Sequence, residues 1–103
     1  MILEREVESY LKTRVEKAKG KCIKIPATYE EGLPDRLVIL PGNRIAFVEL
    51  KRPRGGRLRE MQKYQINKLK GLGCIVRVVK NYEEVNELME ALGCDTNPTS
   101  ISE

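Results

Sequence analysis

At 103 residues, with 41% hydrophobic and 33% charged content, the chain is sized for one domain around one modest core. No apolar run approaches the ~20 residues of a membrane helix, and Met1-Ile2-Leu3-Glu4 lacks the basic and apolar regions of a signal peptide, so no membrane partner and a cytoplasmic location are expected. The net charge of +4 fits a polyanionic partner only loosely, whereas the absence of histidine is decisive: it excludes Ser-His-Asp and Cys-His arrangements, the H-E-x-x-H zinc motif and any histidine general base.

Leu3, Val7, Tyr10, Leu11, Val15 and Ala18 recur at helical spacing and predict a first helix from Leu3 to Lys19, with Gly20 as its stop. Lys21 to Ile25 is a short strand closed by Pro26, and Thr28 to Gly32 is a polar loop. Two apolar strands follow, Arg36 to Leu40 and Arg44 to Lys51, joined by the Pro41-Gly42-Asn43 turn. Arg52-Pro53-Arg54-Gly55-Gly56 then makes a basic loop.

A second helix is predicted from Leu58 to Leu72, with Leu58, Gln65, Ile66, Leu69 and Leu72 on one face. Cys74 to Val79 reads as a central strand, and Tyr82 to Leu92 as a final helix capped by Gly93. The three cysteines, Cys22, Cys74 and Cys94, are odd in number and too far apart for a C-x-x-C pair; Cys22 and Cys74 lie in apolar strand-like runs and read as buried thiols. Residues 94–103 are expected to form a polar tail beyond a single domain over 1–93. The order αβββαβα, with an antiparallel hairpin and a parallel right-handed crossover, predicts an α/β fold: a small mixed β-sheet flanked by helices.

The candidate chemistry converges at one end of the hairpin. A fold about Gly42 or Asn43 sets Asp35 opposite Glu49 or Leu50, and strand alternation points Glu49 and Lys51 the same way. Glu49 lies among Ile45, Ala46, Phe47, Val48 and Leu50, where a carboxylate is costly unless it is paired or binds a cation. Two carboxylates beside an ammonium suit a divalent cation and the cleavage of a phosphodiester. An ion pair of Glu49 with Lys51 or Arg36 is the structural alternative. Gln62, four residues after Leu58, sets an amide in the apolar stripe of the second helix, either as a tether or to position water or phosphate. Glu4 borders the buried face of the first helix, as a favourable first-turn acid or a member of the site.

Downstream of the carboxylates come Lys51, Arg52, Arg54, Arg57, Arg59, Lys63, Lys68 and Lys70 against Glu60 alone, whereas beyond Lys80 there is no basic residue. That asymmetry suggests a polyanion lying across the site, although solubilising charge on a helix has the same composition.

The sequence resembles the virus-type replication-repair nuclease domain (VRR-NUC), a branch of the PD-(D/E)xK nucleases with a restriction-endonuclease-like core. The resemblance runs over about residues 4 to 85. It rests on Gly32-Leu33-Pro34-Asp35-Arg36-Leu37, on Phe47-Val48-Glu49-Leu50-Lys51, on Leu58 with Gln62, on the helix end Leu69-Lys70-Gly71-Leu72-Gly73, and on Glu4. It implies a metal-dependent DNA endonuclease in which Asp35, Glu49 and the Leu50 carbonyl hold Mg²⁺ or Mn²⁺. Lys51 then orients or activates water, and Gln62 and Glu4 complete the site. Arg36, Arg52, Arg54, Arg57, Arg59 and Lys63 are the expected DNA contacts. Stand-alone members of this size look like dimeric Holliday-junction resolvases carried by phages and bacteria. A non-catalytic DNA-binding module and a flap or restriction-type nuclease are the competing expectations.

Overall fold

The computed structural model describes residues 2–94; of the expected tail over 94–103, Cys94 packs against the core and the remainder lies outside the described residues. Seven elements follow the predicted order: α1 (Glu4–Lys17), β1 (Lys21–Lys24), β2 (Arg36–Leu40), β3 (Arg44–Leu50), α2 (Glu60–Gly71), β4 (Ile75–Val79) and α3 (Tyr82–Ala91). The strands form one sheet in the order β1-β2-β3-β4. The pairs β1/β2 and β2/β3 are antiparallel, and β3/β4 is the parallel pair that α2 connects. This is the small mixed sheet flanked by helices that the sequence predicts.

Alternation along the strands separates two faces. On one, Val38, Leu40, Ala46, Val48, Leu50 and Val79 meet Val7, Leu11 and Val15 of α1 and Val85, Leu88 and Met89 of α3 in a single buried cluster. Tyr10 clamps α1 to α3: its ring lies 4.7 Å from that of Tyr82 and its hydroxyl donates to Asn86 Oδ1. On the other face α2 packs against β4, and Glu49 of β3 points towards it.

Four expectations need correction. The strand after α2 is at the sheet edge, not central: β4 is paired with β3 alone among the described strands. Its apolar character reflects cover from α2 on one face and α3 on the other, not two strand neighbours. The second helix begins at Glu60, so Leu58 precedes it, and Leu72 is 71% exposed; the buried stripe is Gln62, Gln65 and Ile66. The first helix ends through Lys19, which takes φ 68. Gly20 is needed for a different reason: a Cβ there would lie 2.5 Å from the Ile39 carbonyl oxygen and 2.6 Å from the Leu40 side chain. Cys22 and Cys74, expected to be buried, are half-buried free thiols, as is Cys94.

Candidate active site

The hairpin turn spans Pro41 to Asn43, with Gly42 at φ 83 and Asn43 at φ 61. The resulting register pairs Leu40 with Arg44 and Arg36 with Val48, so Asp35 arrives beside the end of β3. Pro34, fully buried, fixes the approach. Asp35 is then held twice: its carbonyl accepts from the Ile25 amide at 2.8 Å, and its carboxylate Oδ2 accepts from the Leu50 amide at 2.8 Å. The Leu50 side chain meanwhile anchors in the core. The Leu50 peptide thus lies against the Asp35 carboxylate, where the resemblance expects a shared ligand set.

Glu49, one residue earlier, faces the opposite side of the sheet and is 2% exposed. Its Oε2 accepts from Gln62 Nε2 at 2.7 Å and lies 3.2 Å from Lys51 Nζ. Lys51 also donates to Gln62 Oε1 at 2.9 Å. Gln62 Oε1 accepts in addition from the amide of Arg59, the N-cap residue of α2, at 2.8 Å, so this third helical residue reaches back to cap the helix start as in a capping box. The amide that stood out in the helical stripe is therefore a three-way junction of cap, lysine and carboxylate, and it fixes where α2 begins.

Electrostatics at this cluster are unbalanced. Glu49 Oε1 is buried and has no hydrogen-bond partner among the described residues. Burial, and then the Asp35 charge, push the Glu49 carboxyl up to about 7; the Lys51 hydrogen bond and charge oppose this, and Glu4 adds the smallest upward contribution. One ammonium does not offset desolvation plus a second carboxylate. Glu4, at the first position of α1 and half-buried, thus acts on Glu49 through its charge.

A divalent cation fits this donor set. It would give the orphaned Oε1 a partner and relieve the repulsion between Glu49 and Asp35. Among the described residues no three His, Cys, Asp or Glu side chains form a cation cluster on their own, so two carboxylates would need a backbone carbonyl, such as that of Leu50, and water to complete the sphere.

The expected phosphate contacts divide into two groups. Arg52, Arg54, Arg57, Arg59 and Lys63 are all exposed. The loop that carries most of them doubles back, with Gly56 packed so closely that a Cβ would sit 2.8 Å from the Arg52 backbone. Arg36 differs: its side chain is only 13% exposed and its guanidinium binds Glu8 of α1 at 2.7 and 2.8 Å, so it straps α1 to β2. Gln65, read from sequence as part of an apolar face, is a second buried amide; it donates to Glu30 Oε2 at 2.8 Å and to the Glu31 carbonyl at 3.0 Å. The available signal was its i+3 spacing from Gln62.

A four-stranded mixed sheet with two carboxylates, a lysine and a helix-borne amide at one end of its central hairpin defines a class of small α/β domains with a buried acidic site at the sheet end. Comparison with known proteins gives that class a name. A solved structure of a VRR_NUC domain superposes with a TM-score of 0.78 and 33% identity, over 84% of this chain and 94% of that one. The chain belongs to the VRR_NUC domain family, a family of nucleases. A phage protein named "Putative nuclease p44", of Acyrthosiphon pisum secondary endosymbiont phage 1, is 42% identical over 53 residues, 52% of this chain and 57% of that protein. The match thus spans little more than half the phage protein's length. No family model matches the chain.

Proposed function

We propose that the protein is a metal-dependent DNA endonuclease that hydrolyses phosphodiester bonds, acting by preference on branched DNA as a homodimer. The observation that carries the metal-dependent reading is the buried, unpartnered Glu49 Oε1 beside a second carboxylate, with Lys51 as the adjacent cation. Asp35, Glu49 and the Leu50 carbonyl would hold Mg²⁺ or Mn²⁺. When bound, the cation supplies Lewis-acid polarisation of the phosphate and acidification of a water.

The chain's own groups do the rest. Gln62 fixes the rotamers of Glu49 and Lys51 at once, which supplies the preorganisation that hydrolysis needs. The Lys51 ammonium, held at the mouth of the cluster, stabilises negative charge developing on the attacked phosphate. Asp35 is pinned through Oδ2 by the Leu50 amide, and its other oxygen would serve as the ligand. The exposed arginines from Arg52 to Arg59 hold the DNA backbone on either side. A purely structural, non-catalytic module would need Lys51 and Arg36 together to neutralise the two carboxylates, but Arg36 is engaged by Glu8.

The dimer reading draws support from the sheet face that α2 leaves partly open. Ile23, Leu37, Ile39 and Phe47 are half-buried there, and Ile45 is exposed. Packing two such faces about a two-fold axis would present two sites to the strands of a symmetric junction. Cleavage of a labelled four-way junction tests the proposal. Wild type is expected to nick it in Mg²⁺ and not in EDTA, and Lys51→Ala to lose on the order of a hundredfold in rate while still binding the junction. Full activity in EDTA would overturn it.

A further inference from the structure

Helix α2 sets Gln62 into the site and turns its other flank outward. Met61, Tyr64 and Lys68, spaced i, i+3 and i+7, form one exposed row. Tyr64 is 59% exposed and Met61 40%. Along that row lies the loop between β1 and β2, secured by the two Gln65 hydrogen bonds to Glu30 and Glu31. Gly32 secures it further, at φ +85 and so close to α2 that a Cβ would lie 2.6 Å from the Met61 carbonyl oxygen. Tyr29, in the same loop, is 77% exposed. Tyr29 and Tyr64 are thus displayed to solvent on a braced surface, while Tyr10 and Tyr82, the latter 38% exposed, meet ring to ring at a tilt of 49° between α1 and α3. Nothing in the cleavage chemistry uses Tyr29, Met61, Tyr64 or Gln65.

The neighbourhood indicates what would cover this surface. Lys68 lies in the row itself, and Arg57 and Arg59 are exposed just before α2; of the acids nearby, Glu30 is held by Gln65 and Glu60 pairs with Lys63, which leaves Glu31 as an exposed acid of the loop against these three cations. Aromatic faces among backbone-binding cations are the composition of a single-strand site. A nucleobase offers a free π-face only when it is unpaired and unstacked, because within a duplex both faces are occupied by neighbouring bases. Met61 directly precedes Gln62 in sequence, so the surface begins one residue, about 3.8 Å along the chain, from the amide that orders the site.

We infer that Tyr29, Met61 and Tyr64 form a stacking platform for an unpaired base of the DNA strand that enters the site, with the Gln65 strap holding the two halves of the platform in register. The inference rests on the nuclease reading and deepens it: the protein selects DNA with a single-stranded segment over continuous duplex.

Binding and spectroscopy test it without reliance on cleavage. The chain has no tryptophan, so its ultraviolet emission comes from the four tyrosines. Labelled duplex carrying a single-stranded extension and the matching blunt duplex would be titrated in Ca²⁺, with anisotropy and tyrosine emission recorded together. Wild type is expected to prefer the extended DNA by roughly 5–150-fold per stacked base, with its emission quenched. Tyr29→Ala and Tyr64→Ala are expected to lose that preference while blunt-duplex affinity is unchanged, and Tyr29→Phe and Tyr64→Phe to keep it. Equal affinity of wild type for the two DNAs, or alanine variants that retain the preference, would overturn the platform and leave the nuclease reading standing. Alanine variants that instead turn a dimer into a monomer on sedimentation would also overturn it, by making this face an interface between copies. Failure of wild type to bind either DNA would sink the nucleic-acid reading itself.

Discussion

At the scale of single residues the site turns on Glu49. Its carboxyl is raised from 4.5 to about 7, first by burial and then by Asp35. The folded state therefore binds a proton more readily than the unfolded chain, and stability without metal falls as pH rises through the window from 4.5 to about 7. The full shift corresponds to a penalty of up to about 3 kcal/mol above that window. Glu49→Gln removes the titration, so the difference in melting temperature between variant and wild type in EDTA should grow with pH and level off above neutrality. Mn²⁺ should raise the wild-type melting temperature more above pH ~7 than below it, because the proton competes for the same oxygen, and should leave the variant unmoved. A pH-independent difference would place the burden on something other than this carboxyl. The same residue explains why the centre of the site was legible in the sequence: a carboxylate within an apolar strand needs a partner wherever the strand sits. Arg36 and Gln65 were not legible in that way. Their partners, Glu8 and Glu30, lie 28 and 35 residues away, brought in by how α1 and the β1–β2 loop pack.

At the scale of elements, helical and strand periodicity places all seven correctly, while ends and neighbours depend on contacts between them. Gly20 is the plainest case. Its sequence position suggests a helix stop, but Lys19 supplies the left-handed residue, and Gly20 is required because β2 passes directly against it. Gly20→Ala must therefore shift the Ile39 backbone or the Leu40 side chain, and should cost about 1–3 kcal/mol. Gly71→Ala, at the last position of α2 where a Cβ meets nothing within 4 Å, should be neutral or stabilising by up to about 1 kcal/mol. Urea unfolding of the two variants distinguishes a steric role from a propensity role: comparable effects would mean that Gly20 matters only for backbone freedom. The position of β4 was illegible for a related reason. Apolar content reports that a strand's faces are covered, and helices cover them as well as neighbouring strands do.

At the scale of the whole molecule, charge is unevenly laid out. The exposed cations of the Arg52 to Arg59 loop follow the site directly in sequence, and α3 at the far side carries Glu83, Glu84, Glu87 and Glu90. A polyanion is thereby drawn to one side and repelled from the other. Each phosphate contact neutralised releases condensed counterions, so the slope of log affinity against log salt counts contacts. Arg54→Ala and Arg57→Ala should each lower the magnitude of that slope for a four-way junction by roughly 0.9, and together by roughly twice that, with no change in melting temperature because neither side chain is buried. Lys12, exposed on α1, carries the same charge on a different helix, and Lys12→Ala should leave the slope unchanged. A drop with Lys12→Ala equal to that of the loop variants would route the DNA over α1. The basic loop would then be ordinary surface charge, and the adjacency of cations and carboxylates in sequence would carry no information about the path of the strand.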